Sequence, residues 1–112
     1  AQRCIQPGVL VIAAMHGGHV IGVGELHPSS VNVAEAAFSI DAEWRGQGVG
    51  AALFALILEA AWSRGLAELD ISTHAGNEAM KTLARKFGAE MRFCHGDGFG
   101  RIDLDDIKML EA

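Results

Sequence analysis

Arg45-Gly46-Gln47-Gly48-Val49-Gly50 is the stretch of sequence that decides the fold, because it connects a strand-like run ending at Ile40 to an apolar helical run starting near Val49. Alternate glycines at such a connection leave several backbone N–H groups uncovered by side chains. The first turn of a helix also has N–H groups without an internal partner, and its dipole adds roughly half a positive charge. The stretch therefore predicts an anion site, best suited to a phosphate or pyrophosphate.

The composition is that of an ordinary folded domain of 112 residues, of which 50% are hydrophobic and 21% charged. A chain of this length buries about 65% of its unfolded surface, so we assign residues 1–112 to a single domain. The net charge of −5 argues against a general nucleic-acid binder, which would present a basic face. No apolar run reaches the roughly 18 residues that cross a bilayer, so we expect no membrane span.

Cysteine and histidine usage favours neither a disulfide framework nor a metal site. Cys4 and Cys94 allow at most one bridge, and no secretory signal is evident, so reduced thiols in the cytoplasm are the default. His16 and His19 are close in sequence, but Gly17-Gly18 between them is typical of a hairpin turn. A zinc site there stays an alternative, and a pair of surface histidines is the favoured interpretation.

Alternating apolar positions and glycine-rich turns predict an α/β (α+β) fold with a mixed sheet and two helices. A strand–helix–strand unit crosses over right-handed, so we expect the third and fourth strands to be parallel. Both faces of the third strand are largely apolar, which favours a central position. The closing hairpin is expected to turn at Gly96-Asp97-Gly98. The predicted order is β-β-β-α-β-α-β-β, with strands over 9–15, 20–26, 31–40, 67–73, 90–95 and 100–104 and helices over 48–64 and 78–87.

This order, with the glycine stretch at its first crossover, resembles the GNAT superfamily of acyl-CoA-dependent N-acyltransferases. The superfamily signature is Gln or Arg, two residues, Gly, one residue, then Gly or Ala, and Arg45, Gly48 and Gly50 match it. In the superfamily a strand that carries an acid and an aromatic residue leads into this loop, as Glu35 and Phe38 do here. The resemblance extends from about residue 9 to residue 104.

The predicted second helix carries another part of the resemblance. The superfamily pattern places an Asn, then a Leu, then a Gly that ends the helix, and Asn77, Leu83 and Gly88 fit it. Trp44, just before the glycine signature, is common in bacterial members. The stretch from Asn77 to Gly88 is most similar to bacterial protein-lysine acetyltransferase domains and their relatives.

The resemblance implies a mostly antiparallel sheet with a central parallel strand pair and flanking helices, and acetyl-CoA as cosubstrate without a metal. The backbone of the glycine stretch would hold the pyrophosphate of coenzyme A, and the third strand would hydrogen-bond the pantetheine arm. The Arg45 side chain would add a charge-assisted contact to a phosphate. The implied cofactor-binding residues are Phe38, Ser39, Ile40, Arg45, Gly46, Gln47, Gly48, Val49, Gly50, Ala51 and Asn77.

Glu35 is the implied general base for acetyl transfer to a primary amine, on a small molecule or a protein lysine. An alkylammonium has a pKa near 10.4, and a positioned carboxylate that accepts its proton is worth about 10²–10⁴ in rate. The neighbours of Glu35 from Ala34 to Phe38 are apolar, which predicts partial desolvation and a higher proton affinity. A solvated or salt-bridged strand glutamate is the alternative.

Two departures from the superfamily pattern lead to a second hypothesis. Members usually begin with one more strand and two helices, and without these we expect uncovered apolar sheet surface and either a homodimer or a preceding segment. The tyrosine that serves many members as general acid is Ala84 here, and the chain has no tyrosine. Ser72 or His74 could replace it. The alternative function is therefore a non-enzymatic acyl-CoA-binding or regulatory domain.

Residues 46–51 also satisfy the dinucleotide-binding pattern G-x-G-x-x-A, with Asp70 near the place of the ribose-binding acid. That pattern follows its strand directly, whereas five residues separate Ile40 from Gly46 here. Only about sixty residues remain afterwards, too few for a doubly wound sheet. The dinucleotide interpretation is therefore the weaker one.

Overall fold

A single mixed sheet of six strands is the centre of this computed structural model, which describes residues 8–74 and 78–105. The elements are β1 (Leu10–His16), β2 (His19–Pro28), β3 (Val33–Ile40), a one-turn 3-10 helix (Ala42–Trp44), α1 (Val49–Ser63), β4 (Glu68–His74), α2 (Glu78–Lys86), β5 (Arg92–Cys94) and β6 (Asp97–Asp103). The strands lie in the order β1-β2-β3-β4-β6-β5. This architecture confirms the predicted order of elements and the mostly antiparallel sheet with one parallel pair.

The first three strands form an antiparallel meander. Gly17 and Gly18 connect β1 to β2 with φ angles of +56° and +81°, the left-handed backbone that a tight hairpin needs. The hairpin predicted there is thus confirmed. β2 then pairs with β3 along most of its length, and β3 lies between β2 and β4, as its predicted central position requires.

The parallel pair of β3 and β4 opens before β3 ends. Its register runs from Val33 opposite Glu68 to Ala37 opposite Ser72. β3 nevertheless continues to Ile40, where it is still paired with β2 on its other side. The two parallel strands therefore separate at their carboxyl ends, and the gap between them faces the loop that leads into α1.

Helix α1 crosses from β3 to β4 and packs one apolar side against the sheet. Phe54 lies at the centre of this packing, with its ring centroid 5.6 Å from that of Phe38 on β3 and 5.6 Å from that of Phe87 just after α2. Gly65 ends the helix with a φ of +74°, as the sequence predicts. The buried residues of α1 are Leu53, Phe54, Ile57, Leu58 and Ala61.

Both helices lie on the same face of the sheet, because α1, α2 and the buried strand residues belong to one hydrophobic core. We call the opposite side the open face, since no helix covers it within residues 8–74 and 78–105. It is apolar on β1 and at Val23 of β2, and it is mostly charged from Glu25 and His27 of β2 across β3, β4 and β6. Its members, which alternate with the core residues, include Val11, Ala13, Val23, Glu25, His27, Glu35, Ala37, Glu68, Asp70, Ser72, Phe99 and Arg101. No helix in the described part of the chain is long and apolar enough to span a bilayer.

The predicted position of the closing turn is wrong. β5 and β6 are joined at His95-Gly96, with φ angles of +52° and +84°, and Asp97 already pairs with Cys94. Two consecutive residues with positive φ make the tight turn whose twist matches that of the strands. Gly98 lies inside β6, where an added Cβ would come within 3.0 Å of the Phe93 ring. This glycine therefore serves packing within the sheet.

Gly22 on β2 allows α1 to approach the sheet closely, and we expect Gly22→Ala to lower the free energy of unfolding. A Cβ there would lie 2.9 Å from Ile40 Cδ1, 3.0 Å from Val49 Cγ1 and 3.2 Å from Leu53 Cδ1. Overpacking of this kind costs about 1–3 kcal/mol. Urea unfolding measures the change.

Gly50→Ala is the matched control for this variant. Its Cβ would meet Met80 Cε at 3.6 Å and Ile40 Cγ1 at 3.8 Å, which are ordinary van der Waals distances. The position also lies in a helix, where alanine is favoured over glycine. Its stability should be unchanged or slightly higher, and an equal loss in both variants would contradict the close-approach explanation.

Candidate functional site

The loop between β3 and α1 is exposed, and side-chain contacts hold its start and its middle in place. The 3-10 helix at its start brings Trp44 against β1, with its ring centroid 4.6 Å from that of His16. Gln47 Nε2 donates to the Glu43 carbonyl oxygen at 3.0 Å, which closes the middle of the loop. Gly48 is the N-cap residue of α1, and no side chain caps the helix there. The first N–H groups of α1 are therefore left to a ligand or to water.

Glycine occupies positions 46, 48 and 50 for two different structural reasons. Gly46 and Gly48 have φ angles of +78° and +89°, so the left-handed backbone itself requires glycine at both positions. An added Cβ at either would meet no atom within 4 Å, so the space beside them is open. Gly50 instead lies within α1 and faces Met80 and Ile40. The approach of a ligand to an open backbone therefore concerns the first two glycines, and Gly50 faces the protein interior.

The gap between β3 and β4 exposes one edge of the β3 backbone. The Asp41 N–H donates to the Ile21 carbonyl oxygen at 2.9 Å, on the β2 side. Backbone groups alternate along a strand, so the N–H and C=O of Ile40 point to the β4 side, into the gap. Arg45 Nε donates to that Ile40 carbonyl oxygen at 3.3 Å. The arginine of the motif thus lies at the mouth of the gap, between the loop and the strand edge.

A row of charged side chains crosses the open face at right angles to the strands. His27 on β2 lies opposite Glu35 on β3, Glu35 lies opposite Asp70 on β4, and Asp70 lies opposite Arg101 on β6. His27 Nε2 is 2.8 Å from Glu25 Oε1. Arg101 donates to Asp70 through two nitrogens, Nε at 2.5 Å and Nη2 at 3.1 Å. Both cross-strand neighbours of Glu35 are therefore engaged elsewhere.

Glu35 is exposed and makes no hydrogen bond or ion pair with the residues that the structure describes. The predicted desolvation is wrong, because its apolar neighbours Ala34 and Ala36 point to the helix-covered face and are fully buried there. Successive strand residues alternate between faces, so sequence neighbours do not surround a strand side chain. Glu35 is thus an exposed carboxylate, unpaired within residues 8–74 and 78–105, close to the point where β3 and β4 separate.

An open depression of about 400 Å³ adjoins Glu35 on the open face. Charged groups dominate its lining, together with the exposed Phe99 ring. The residues that matter for its chemistry are Glu35, Asp70, Ser72, Arg92, Phe99 and Arg101. Hydrogen bonds to Asp70, followed by the charges of Asp70 and Glu68, raise the pKa of Arg101 above its ordinary value. Arg101 therefore stays cationic wherever the protein is folded.

Ser72 and His74, the predicted replacements for the missing tyrosine, both lie on β4, one of the two strands that border the gap. Ser72 is half-buried on the open face and is the last residue of β4 that pairs with β3. His74 is the last residue of β4. Ala84, which the resemblance aligns with the superfamily tyrosine, is part of α2 and is fully buried. Asn77, predicted to cap α2 and contact the cofactor, lies outside the described residues.

Thr73 is a polar residue near the gap that sequence reasoning missed. Its side chain is 5% exposed, and Oγ1 has no hydrogen-bond partner among the described residues. It continues the core-facing series of β4 after Leu69 and Ile71, so the sequence signal was an interruption of an apolar alternation. No group of three or more metal-ligating side chains occurs in the described part of the chain. His16 and His19, the alternative zinc site, therefore have no third ligand there.

Comparison with known proteins identifies the family. Residues 2–89 match the model of the acetyltransferase (GNAT) family. No curated protein sequence matches the chain. Similar solved structures include ribosomal-protein-alanine N-acetyltransferase from Brucella melitensis, with a TM-score of 0.69 and 26% identity. That similarity covers 86% of this chain and 69% of the Brucella chain.

Two further solved structures share the fold at lower identity. PaiA N-acetyltransferase from Thermoplasma acidophilum, in complex with coenzyme A, has a TM-score of 0.68 at 20% identity over 85% of this chain. Phosphinothricin acetyltransferase from Sinorhizobium meliloti, in complex with acetyl-CoA, has a TM-score of 0.68 at 20% identity over 86% of this chain. The chain spans 60% of the first of these relatives and 61% of the second. With the family match over most of its length, the chain belongs to the GNAT family of acetyltransferases.

Proposed function

We propose that this chain is an N-acetyltransferase domain that transfers the acetyl group of acetyl-CoA to a primary amine, with Glu35 as general base. The observation that carries the proposal is the opening of the parallel strand pair just beyond Glu35, beside an uncapped helix N-terminus. A carboxylate, a strand edge without its β4 partner and a helix N-terminus without a side-chain cap therefore follow one another along β3 and the loop after it. Such a path suits a long acyl thioester and an amine that meets it at Glu35.

Coenzyme A fits the backbone half of this path. The loop N–H groups from Arg45 to Ala51 would hold the pyrophosphate, helped by the positive end of the α1 dipole. The β3 edge over Phe38, Ser39 and Ile40 would hydrogen-bond the pantetheine arm as an added strand would. Coenzyme A and acetyl-CoA in the PaiA and phosphinothricin acetyltransferase structures support this assignment. Asn77 would contribute a further contact.

The reaction needs a neutral amine, a polarised carbonyl and a departing thiolate. Glu35 accepts a proton from the acceptor ammonium, directly or through water, and the freed lone pair attacks the thioester carbon. A β3 N–H in the gap stabilises the carbonyl oxygen as it becomes negative. The C–S bond then breaks, its electron pair leaves on sulfur, and the second proton lost by the nitrogen passes to the thiolate or to water. A thiol of pKa near 8.5 can depart as thiolate, so transfer does not require a tyrosine at position 84.

The acceptor is a primary amine on a small molecule or on a protein lysine. The exposed position of Glu35 and the open depression beside it leave room for either class. Cys94 is an exposed free thiol, which supports a reducing compartment such as the cytoplasm. The uncovered apolar residues Val11 and Ala13 support a homodimer as a further expectation.

A non-enzymatic acyl-CoA-binding domain is the second candidate, and one observation favours it. Ala84 is fully buried and carries no proton donor at the position of the usual general acid. Calorimetry with acetyl-CoA, combined with a thiol-release assay on L-lysine, spermidine and an alanine-terminated peptide, separates the two functions. Binding without turnover on any amine supports the second candidate, and turnover excludes it.

Glu35→Gln should lower turnover by roughly 10²-fold or more, because the amine loses its proton acceptor. The deficit should shrink as pH rises towards the amine pKa of about 10.4, where the free base no longer needs help. Acetyl-CoA affinity should not change, since the proposed cofactor contacts lie on the backbone. Steady-state thiol release against pH measures the first effect, and calorimetry measures the second.

Glu59→Gln is the matched control for this variant, because Glu59 is an exposed carboxylate on α1, on the opposite side of the sheet. It should retain the turnover and pH profile of the unmodified chain. Equal turnover in the Glu35→Gln variant and the unmodified chain would remove Glu35 from the mechanism.

Gly48→Ala should weaken coenzyme A binding roughly tenfold. A residue with a Cβ resists the φ of +89° found there, so the N–H groups at the start of α1 would turn away from the pyrophosphate. The loss of one charge-assisted hydrogen bond is worth about 1.5–3 kcal/mol, and tenfold in affinity corresponds to about 1.4 kcal/mol. Isothermal titration calorimetry with coenzyme A gives the dissociation constant.

Gly65→Ala is the control for backbone strain alone. Gly65 has a φ of +74°, has open space around an added Cβ, and lies at the other end of α1. Both variants should lose similar stability, and only Gly48→Ala should lose affinity. If both bind coenzyme A as the unmodified chain does, the loop is not the pyrophosphate site.

A further inference from the structure

The charged row on the open face places a strong ion pair directly beside the proposed base. Glu35 and Asp70 are opposite each other on parallel strands, so their side chains are near neighbours on one face. Arg101 binds Asp70 in a fork of two hydrogen bonds, and Arg101 Nη1 also lies 3.4 Å from Glu68 Oε1. The guanidinium is thereby held at two carboxylates of β4, the strand that lies between β6 and Glu35 on β3.

We propose that Arg101 and Asp70 act as a positioning pair: because they bind each other, Glu35 has neither an uncompensated negative charge nor a competing cation at the neighbouring position of β4. This inference rests on the proposed role of Glu35 as base. An uncompensated Asp70 carboxylate would add a negative charge beside Glu35, which makes the release of a proton from Glu35 less favourable. An unpaired arginine would have the opposite effect, because it would bind Glu35 and occupy its lone pairs. Pairing the two neighbours with each other avoids both outcomes.

The other charged groups that face Glu35 do not substitute for this pair. On β2, His27 lies opposite Glu35 and is held 2.8 Å from Glu25. At the rim of the depression, Glu90 and Arg92 lie beyond β4, on the side of β5. No helix in residues 8–74 or 78–105 covers this face. The groups to consider around Glu35 are therefore His27, Glu25, Asp70, Glu68, Arg101, Glu90 and Arg92.

The two members of the pair predict shifts of opposite sign. Arg101→Gln leaves the Asp70 charge uncompensated beside Glu35, so Glu35 holds its proton to a higher pH. Asp70→Asn frees the Arg101 charge, so Glu35 loses its proton at a lower pH. Coulomb's law for neighbours about 5 Å apart in a water-like dielectric gives shifts of about half a pH unit. The double variant Asp70→Asn/Arg101→Gln should return close to the unmodified chain.

The experiment measures Glu35 itself as well as the reaction. Carbon-13 NMR of the glutamate carboxylates, assigned with Glu35→Gln, gives the titration midpoint of Glu35 in the full chain without requiring turnover. The acid limb of kcat/KM for thiol release with spermidine gives the same shift in the reacting enzyme. His27→Gln, combined with each variant, removes the other titratable side chain opposite Glu35. Arg85→Gln is the charge-matched control, because Arg85 is exposed on α2, on the helix-covered side.

Opposite shifts of the Glu35 midpoint in the two single variants, with recovery in the double variant and none in Arg85→Gln, support the positioning pair. Shifts in the same direction, or no shift in either variant, overturn it. Thermal unfolding identifies any loss of fold, and Arg101→Lys, which keeps the charge without the fork, then provides the second variant. If Glu35→Gln retains full turnover, the proposed base is wrong, while the NMR midpoints still decide whether the pair controls Glu35.

Discussion

The early end of hydrogen bonding between β3 and β4 is the constraint on which the rest of the site depends. Buried or half-buried backbone groups need partners, and β3 loses those of β4 after Ala37. The fold supplies one replacement locally, since Arg45 Nε donates to the Ile40 carbonyl oxygen. The same arginine belongs to the glycine loop, so the strand edge and the helix N-terminus are coupled through one side chain. A ligand that binds along the edge competes with, or rearranges, that bond.

The core holds this gap open from the helix side. Phe38 follows Ala37, the last β3 residue that pairs with β4, and the Phe38 ring stacks on Phe54 of α1, which in turn stacks on Phe87. This aromatic series ties β3 to both helices at the level where β3 and β4 part. Gly22 and Gly24 on β2 let α1 approach closely, which positions the start of the helix above the mouth of the gap. Close packing of this kind leaves few alternative positions for the loop.

Local patterns in the sequence were sufficient to predict the helices and strands, but they did not predict which side chains surround a given residue. Glycine and apolar periodicity predicted β1 to β4, both helices and the order of the elements along the chain. The closing turn was misplaced because Gly98 looks like a turn residue in sequence, whereas in the structure it makes room for Phe93 within β6. The predicted desolvation of Glu35 failed because the helices cover one face alone, a property of the whole sheet. Asp70 and Arg101 are 31 residues apart, and only the β4–β6 register brings them together.

The proposed site has two halves with different physical origins, so we expect cofactor binding and catalysis to respond to different substitutions. Its backbone half, the loop and the β3 edge, is set by left-handed glycines, the end of a strand pair and the packing of α1, none of which requires a particular reactive side chain. Its side-chain half is a row fixed by strand register, in which Glu35 is free because its neighbours are paired with other groups. Replacement of the usual tyrosine by the buried Ala84 changes the second half alone. On this proposal the backbone of the loop and of β3 binds the cofactor, whereas the rate of transfer depends on the Glu35 carboxylate. Substitutions in the charged row of the open face should therefore change turnover before they change cofactor affinity.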